Sequence, residues 1–213
     1  RGYRTLYRAA ARFRTASRLP VDGETAEYLL QVHDVAQLYE LWCMFAVVRA
    51  VRSVLGSPRR MARADTGDLQ ATLRQGATAE WPGVRVSYNR TFRRGRGSWS
   101  LQLRPDVTLE IKAGPNQGLH LMDAKFKLSH LPTADTDPTH PVNADLAKMH
   151  AYRDALTGAR SAWVLYPGTE GRWLTPSGWP DGLGAIPLRP GAHADLQHVV
   201  RTLLRPDAVP QSG

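Results

Sequence analysis

The 213-residue sequence contains a single cysteine, Cys43. One cysteine excludes a disulfide framework within the chain and a structural zinc site built from several thiolates. Because chains without disulfides are typical of reducing compartments, we expect a cytoplasmic location. Cys43 itself is expected in the core, since Trp42 and Met44 flank it.

Long apolar runs are also absent. The longest extends from Leu41 to Val48 and stops at Arg49, far short of the roughly 20 residues that span a bilayer. The sequence therefore predicts no membrane partner. No signal peptide is visible, and because the chain begins with Arg1 we expect it to be a fragment of a longer protein.

Lysine is scarce, although positive charge is not. Only four of the 28 basic residues are Lys, and with 19 acidic residues the net charge is +9. This charge favours a polyanionic partner, but by itself it does not distinguish DNA, RNA and an acidic membrane surface. With 42% hydrophobic and 22% charged residues, the composition is that of a globular domain.

We divide the chain into three parts. Residues 1–20 are predicted to form a basic helical arm that belongs to a missing upstream domain, with direct contact to nucleic acid as the alternative. Residues 21–205 form the main domain and residues 206–213 a tail. The main domain is predicted to be α/β. Helices are expected at 24–55, 144–156 (with Asn143 as its N-cap) and 192–204. Strands are expected at 84–88, 101–111 (interrupted by Pro105), 119–128, 162–166 and 183–188. Residues 57–80 are expected to be irregular or weakly helical, and 129–141 to form a loop.

Acidic and basic side chains converge in the predicted sheet. Asp123 and Lys125 are two residues apart on one strand, so both side chains leave the same face. The turn cluster near residue 115 places Asp106 opposite roughly residue 124. Two adjacent carboxylates repel unless a cation lies between them, and hard oxygen ligands suit Mg²⁺, with Mn²⁺ as a second possibility. The alternative is a surface Asp–Lys pair and an unrelated Asp in a Pro-Asp turn.

Pro105-Asp106 and Asp123-Ala124-Lys125 resemble the signature of the PD-(D/E)XK nuclease superfamily, and the predicted α-β-β-β-α-β order is similar to its restriction-endonuclease-like core. The resemblance implies a metal site of Asp106, Asp123 and the Ala124 carbonyl, with Lys125 acting on the attacking water. It also implies that Glu40, an acid without a basic neighbour in an apolar helix, is a further metal ligand and a fourth catalytic residue. Lys148 and Tyr152 look like the superfamily's QxxxY motif, with Lys in place of Gln.

A narrower resemblance, over about residues 20–170, is to the C-terminal nuclease domain of McrC-like subunits of McrBC-type restriction systems. It implies a DNA endonuclease that acts in phage defence with an AAA+ NTPase motor subunit, and a homodimer is a further possibility. The alternatives are a catalytically silent DNA-binding module and a subunit that mainly activates the motor. Basic and hydroxyl groups near the site are expected to contact DNA phosphates, namely Lys148, Tyr152, Lys127, Arg93, Arg94 and Arg96.

Overall fold

The computed structural model describes residues 35–62, 77–126, 143–174 and 181–205. The expected arm at 1–20, the tail at 206–213, the loop at 129–141 and Lys127 lie outside these ranges. Within them, the helices are α1 (Val35–Leu55), α2 (Asn143–Ala155) and α3 (Ala194–Leu204), and the strands are β1 (Arg60–Ala62), β2 (Thr78–Trp81), β3 (Val84–Tyr88), β4 (Arg93–Arg94), β5 (Gly97–Ser98), β6 (Val107–Ile111), β7 (Gly118–Ala124), β8 (Ala159–Tyr166), β9 (Arg172–Leu174) and β10 (Gly182–Pro187).

Eight strands form one mixed sheet in the order β1-β2-β3-β6-β7-β8-β10-β9. In this sheet β1, β2, β3, β6 and β7 pair antiparallel, β7, β8 and β10 run parallel, and β9 returns antiparallel at the far edge. Strands β4 and β5 form a separate parallel pair. Helix α2 lies between β7 and β8 in the chain, as a parallel connection requires. This mixed sheet flanked by helices confirms the predicted α/β class and is consistent with a restriction-endonuclease-like fold.

The β6–β7 hairpin fixes the register at the centre of the sheet. Val107 pairs with Met122 and Ile111 with Gly118, so the turn is centred where the sequence predicted it. The side chain of Asn116 in this turn donates hydrogen bonds to the last carbonyls of α3, on Thr202 (3.2 Å) and Leu203 (3.0 Å). The turn is therefore held against α3. Because Val107 lies opposite Met122, the preceding residue, Asp106, comes beside Asp123.

Each face of the sheet packs against its own helices. Cys43, Val47 and Val51 recur at helical spacing along α1 and are fully buried, which confirms the core placement of Cys43. They belong to one apolar cluster with α3 and with Met122 of β7. The opposite face packs against α2, with Leu121 of β7 in a second cluster. Because side chains alternate along a strand, Asp123 leaves β7 on this second face.

Helix α1 ends where the sequence predicted it. Gly56 adopts the left-handed conformation (φ 79°), and its N–H closes the last turn on the Arg52 carbonyl at 2.9 Å. Within the part of the chain that the structure describes, no helix is long and apolar enough to span a membrane.

Three strand predictions need correction. Residues 57–80 were expected to be irregular or weakly helical, yet they contain β1 and most of β2. These strands are stabilised by pairing with the neighbouring strand and by burial of Ala79 and Trp81 in the core. The strand expected at 101–111 begins only at Val107, because Pro105 has no N–H to donate to a neighbouring strand and Leu103 pairs with Phe92 instead. Strand β7 ends at Ala124 rather than at 128.

Candidate active site

Asp123 is the centre of the site. Its side chain is fully buried near the end of β7, where a carboxylate requires partners to offset its lost hydration. Three residues supply them. The Lys148 ammonium donates to Oδ1 (2.9 Å) and Oδ2 (3.1 Å), the Lys125 ammonium lies 2.5 Å from Oδ2, and the Tyr152 hydroxyl lies 3.2 Å from Oδ1. Two positive groups therefore neutralise this carboxylate within the folded chain.

Helix α2 brings Lys148 and Tyr152 to the sheet. The two residues are one turn apart on one helix face, and the Lys148 ammonium lies 5.2 Å from the centre of the Tyr152 ring. The Tyr152 hydroxyl is also 3.2 Å from the Arg104 carbonyl. One hydroxyl proton thus serves two acceptors, and Tyr152 ties α2 both to Asp123 and to the segment that leads into Asp106.

Asp106 lies on the other side of Asp123, immediately before β6. Its Oδ2 accepts a hydrogen bond from the Ala124 N–H at 2.7 Å. In a strand the N–H and C=O of one residue face the same neighbour, so the Ala124 carbonyl leaves β7 on the Asp106 side. The structure thus brings together the two carboxylates and the backbone group that the sequence predicted as ligands.

The electrostatics of the site are unfavourable for Asp106. Burial, followed by the negative charges of Asp123 and Glu40, raises the pKa of Asp106 to about 7, although the Ala124 hydrogen bond and the Lys125 charge oppose the rise. Burial lowers the pKa of Lys148, but its hydrogen bond to Asp123 and the charges of both aspartates outweigh that effect and leave the pKa raised. Lys148 is therefore cationic, and Asp106 is the carboxylate whose charge lacks full compensation.

Glu40 lies near the site on α1. It is half-buried, and its charge raises the pKa values of Asp106, Tyr88 and Cys43, in each case after the larger effect of burial. In the described ranges, however, no three His, Cys, Asp or Glu side chains gather into a metal-binding cluster. The role of Glu40 as a third carboxylate ligand remains a prediction.

The residues present fit a divalent cation. Mg²⁺ is commonly held by one or two carboxylates, with substrate phosphate and water completing its shell. Asp106 and Asp123 are two such groups, and the Ala124 carbonyl is a third hard oxygen on the same side. A cation between the carboxylates would offset the repulsion that raises the pKa of Asp106.

The other predicted phosphate contacts within the described residues are three arginines of the segment before β6. Arg93, Arg94 and Arg96 are exposed on the short β4–β5 turn. Contact of these arginines with DNA phosphates stays a prediction.

Sequence reasoning missed a second buried polar centre at His120. The ring is fully buried in β7, with Nε2 3.0 Å from the Asn116 carbonyl and Nδ1 2.7 Å from the Ser161 hydroxyl, which in turn accepts from Trp163 Nε1 at 2.9 Å. A carbonyl only accepts, so Nε2 carries the proton and Nδ1 accepts from Ser161. The only available signal was a His between Leu119 and Leu121 in a predicted strand.

Comparison with known proteins bears on this geometry. No curated protein and no solved structure matches the chain. The family model of the PD-(D/E)XK nuclease superfamily matches residues 37–171, a range that holds all the residues gathered around Asp123. Nuclease activity is general in that superfamily, and its members generally use divalent metals. The chain belongs to the PD-(D/E)XK nuclease superfamily.

Proposed function

We propose that this chain is the Mg²⁺-dependent endodeoxyribonuclease domain of a multi-subunit restriction or phage-defence system, similar to McrC-like subunits. The observation that carries the proposal is the convergence of Asp106, Asp123 and Lys125 at adjoining ends of β6 and β7. A net charge of +9 supports DNA as the substrate, since duplex DNA is a dense polyanion.

Asp106 and Asp123 hold the metal in this proposal, with the Ala124 carbonyl as a further ligand. A bound divalent cation supplies a Lewis acid that activates water and neutralises the charge developing on the phosphate. The Ala124 N–H fixes the orientation of the Asp106 carboxylate. Tyr152 and Lys148 fix that of Asp123.

Lys125 is the proposed catalytic base or water-orienting group. Its ammonium reaches Asp123, yet its side chain is 26% exposed and accessible to substrate. An ammonium is a compact charge that suits contact with one attacking oxygen. Lys148 is proposed to compensate the charge of Asp123, and its 42% exposed side chain also allows contact with a DNA phosphate.

The test is cleavage of supercoiled and linear plasmid DNA with and without Mg²⁺. We expect Lys125→Met to abolish cleavage and Lys112→Met to retain it, because Lys112 is an exposed lysine in the β6–β7 turn. Cleavage that survives in Lys125→Met, or that persists in EDTA, would contradict the proposed mechanism.

A second candidate function follows from the same contacts. Because Lys125 and Lys148 already neutralise Asp123, a catalytically silent DNA-binding or motor-activating subunit would also tolerate this site. Titration with Mg²⁺ or Mn²⁺ separates the two. A metal-dependent rise in melting temperature that is lost in Asp106→Asn supports the nuclease, and its absence in the wild type supports the silent subunit.

A further inference from the structure

The segment between β3 and β6 is strongly basic. Residues 89–105 contain five arginines and no acidic residue. Arg90 is paired with Glu110 at 3.0 Å and lies over the Phe92 ring. The remaining arginines, Arg93, Arg94, Arg96 and Arg104, are exposed, and no carboxylate within the described ranges forms an ion pair with them.

This segment is held at both ends. At its base, the Asn89 N–H donates to the Asp106 carbonyl (2.9 Å), and Phe92 and Leu103 exchange backbone hydrogen bonds at 2.8 and 2.9 Å. At its tip, the Trp99 N–H donates to the Ala155 carbonyl at the end of α2 (3.1 Å). The segment therefore presents its exposed side chains on a fixed surface continuous with the helix that carries Lys148.

Trp99 is the most exposed large apolar residue of this surface. Its side chain is 67% exposed, and Leu101 nearby is 61% exposed. The indole N–H of Trp99 donates to the Asp154 carbonyl at 2.6 Å, which fixes the ring through its polar edge. The faces of the ring are thus available while its hydrogen-bonding group is already satisfied.

The position of Trp99 relative to the site follows from α2. Ala155 is seven residues after Lys148, which is two helical turns on the same side and about 10 Å along the axis. Along one strand of double-stranded DNA, successive nucleotides are about 3.4 Å apart, so this separation corresponds to about three stacked nucleotides.

We propose that Trp99 stacks on an unpaired base about three nucleotides from the phosphate at the Asp106–Asp123 site, so that the preferred substrate carries unpaired nucleotides beside the cut. The choice of nucleic acid rests on the proposed nuclease function. In a duplex the base faces are covered by their neighbours, so a fixed indole stacks only on an unpaired, flipped or terminal base. The exposed arginines favour this occupant over an apolar protein surface.

The test is fluorescence anisotropy with the full chain in EDTA, which prevents cleavage. The probes are a labelled single strand of about 20 nucleotides, its duplex, and the same duplex with an unpaired central stretch, since stacking sites extend over several nucleotides. We expect Trp99→Ala to weaken binding of the single strand and of the interrupted duplex about tenfold, and binding of the duplex less than about twofold.

Three further variants make the result specific. Trp99→Phe keeps an aromatic face and is expected to restore most of the binding, whereas Trp99→Leu keeps only apolar area and is not. Met61→Ala removes a side chain of similar exposure (51%) from β1, an edge strand outside the basic segment, and should bind as the wild type does. Equal melting temperatures of these variants show that the fold is retained.

Two outcomes would overturn the proposal. One is an equal effect of Trp99→Ala on all three probes, or no effect on any. The other is restoration of binding by Trp99→Leu, which would assign the surface to apolar contact, as with a protein partner.

Cleavage is scored separately on plasmid DNA. Wild-type protein that does not cut but binds single strands through Trp99 refutes only the nuclease function. Protein that cuts plasmid DNA but whose binding of single strands does not depend on Trp99 refutes only this inference.

Discussion

Replacing Asp123 by Ala is the obvious way to inactivate the proposed nuclease, and the structure predicts that it also destabilises the fold. The carboxylate is fully buried and is contacted by the ammonium groups of Lys125 and Lys148. The substitution leaves two neighbouring positive charges without their shared partner. Tyr152 loses one acceptor but retains the Arg104 carbonyl.

The magnitude follows from the burial of the three groups. Removing one member of a buried ion pair costs about 3–5 kcal/mol. Because the lysine side chains are 26% and 42% exposed, water compensates part of their charge. We therefore expect a loss near the lower end, about 3 kcal/mol, which is a large part of the roughly 5–15 kcal/mol that stabilises a typical protein. For a chain of this size the melting temperature falls by about 6–12 °C.

Lys125→Met provides the contrast. Asp123 keeps the two hydrogen bonds from Lys148 and that from Tyr152, so the free energy of unfolding should change by less than about 1 kcal/mol. Urea unfolding followed by tryptophan fluorescence measures both variants beside Lys112→Met as the control. The wild type and the variants must show equal m-values for the comparison to hold.

An Asp123→Ala protein that unfolds at the wild-type urea midpoint would contradict this prediction. That result would mean that the lysine–aspartate contacts contribute nothing to the folded state. Loss of cleavage in Asp123→Ala could then be attributed to chemistry alone, which the present geometry does not allow.

Three further predictions concern other positions. Burial and like charges raise the pKa of Asp106 to about 7, so the contribution of this group to stability is lost as pH rises from about 4 to 7. In metal-free buffer at pH 8, Asp106→Asn should therefore raise the free energy of unfolding, measured in urea, by roughly 1–3 kcal/mol. Burial lowers the pKa of His120 from 6.5 to about 4, so the unfolded chain takes up the proton first as pH drops through this range. The free energy of unfolding should fall by roughly 3 kcal/mol from this group, and a stability–pH curve for His120→Gln should lack that fall. A Cβ at Gly184 would lie 2.4 Å from the Arg172 carbonyl and 2.4 Å from the Trp163 ring. Gly184→Ala should therefore reduce the free energy of unfolding by about 1–3 kcal/mol and lower the melting temperature. An unchanged melting curve would contradict the close packing of β9 on β10.

The sequence predicted local features well. The end of α1 and the β6–β7 hairpin depend on residues close together in the chain. The turn at 112–117 brings Asp106 and Asp123 side by side through the register of one hairpin, and period-two alternation places Asp123 and Lys125 on one face. The corrected strands β1 and β2 are only three and four residues long, too short for their patterns to predict a strand. They are defined by tertiary pairing, β2 with β3 and β1 with β2.

The sequence by itself therefore determined the α/β class, the hairpin and the meeting of two carboxylates with one lysine. Only the tertiary structure decided what surrounds them. Docking of α2 makes Lys148 a partner of Asp123, and it holds the tip of the 89–105 segment so that Trp99 faces outward. These contacts join elements that are distant in sequence, and they depend on how the helix packs on the sheet. Hydrophobic periodicity specifies which side of a helix or strand is buried, but not which buried charge it will meet.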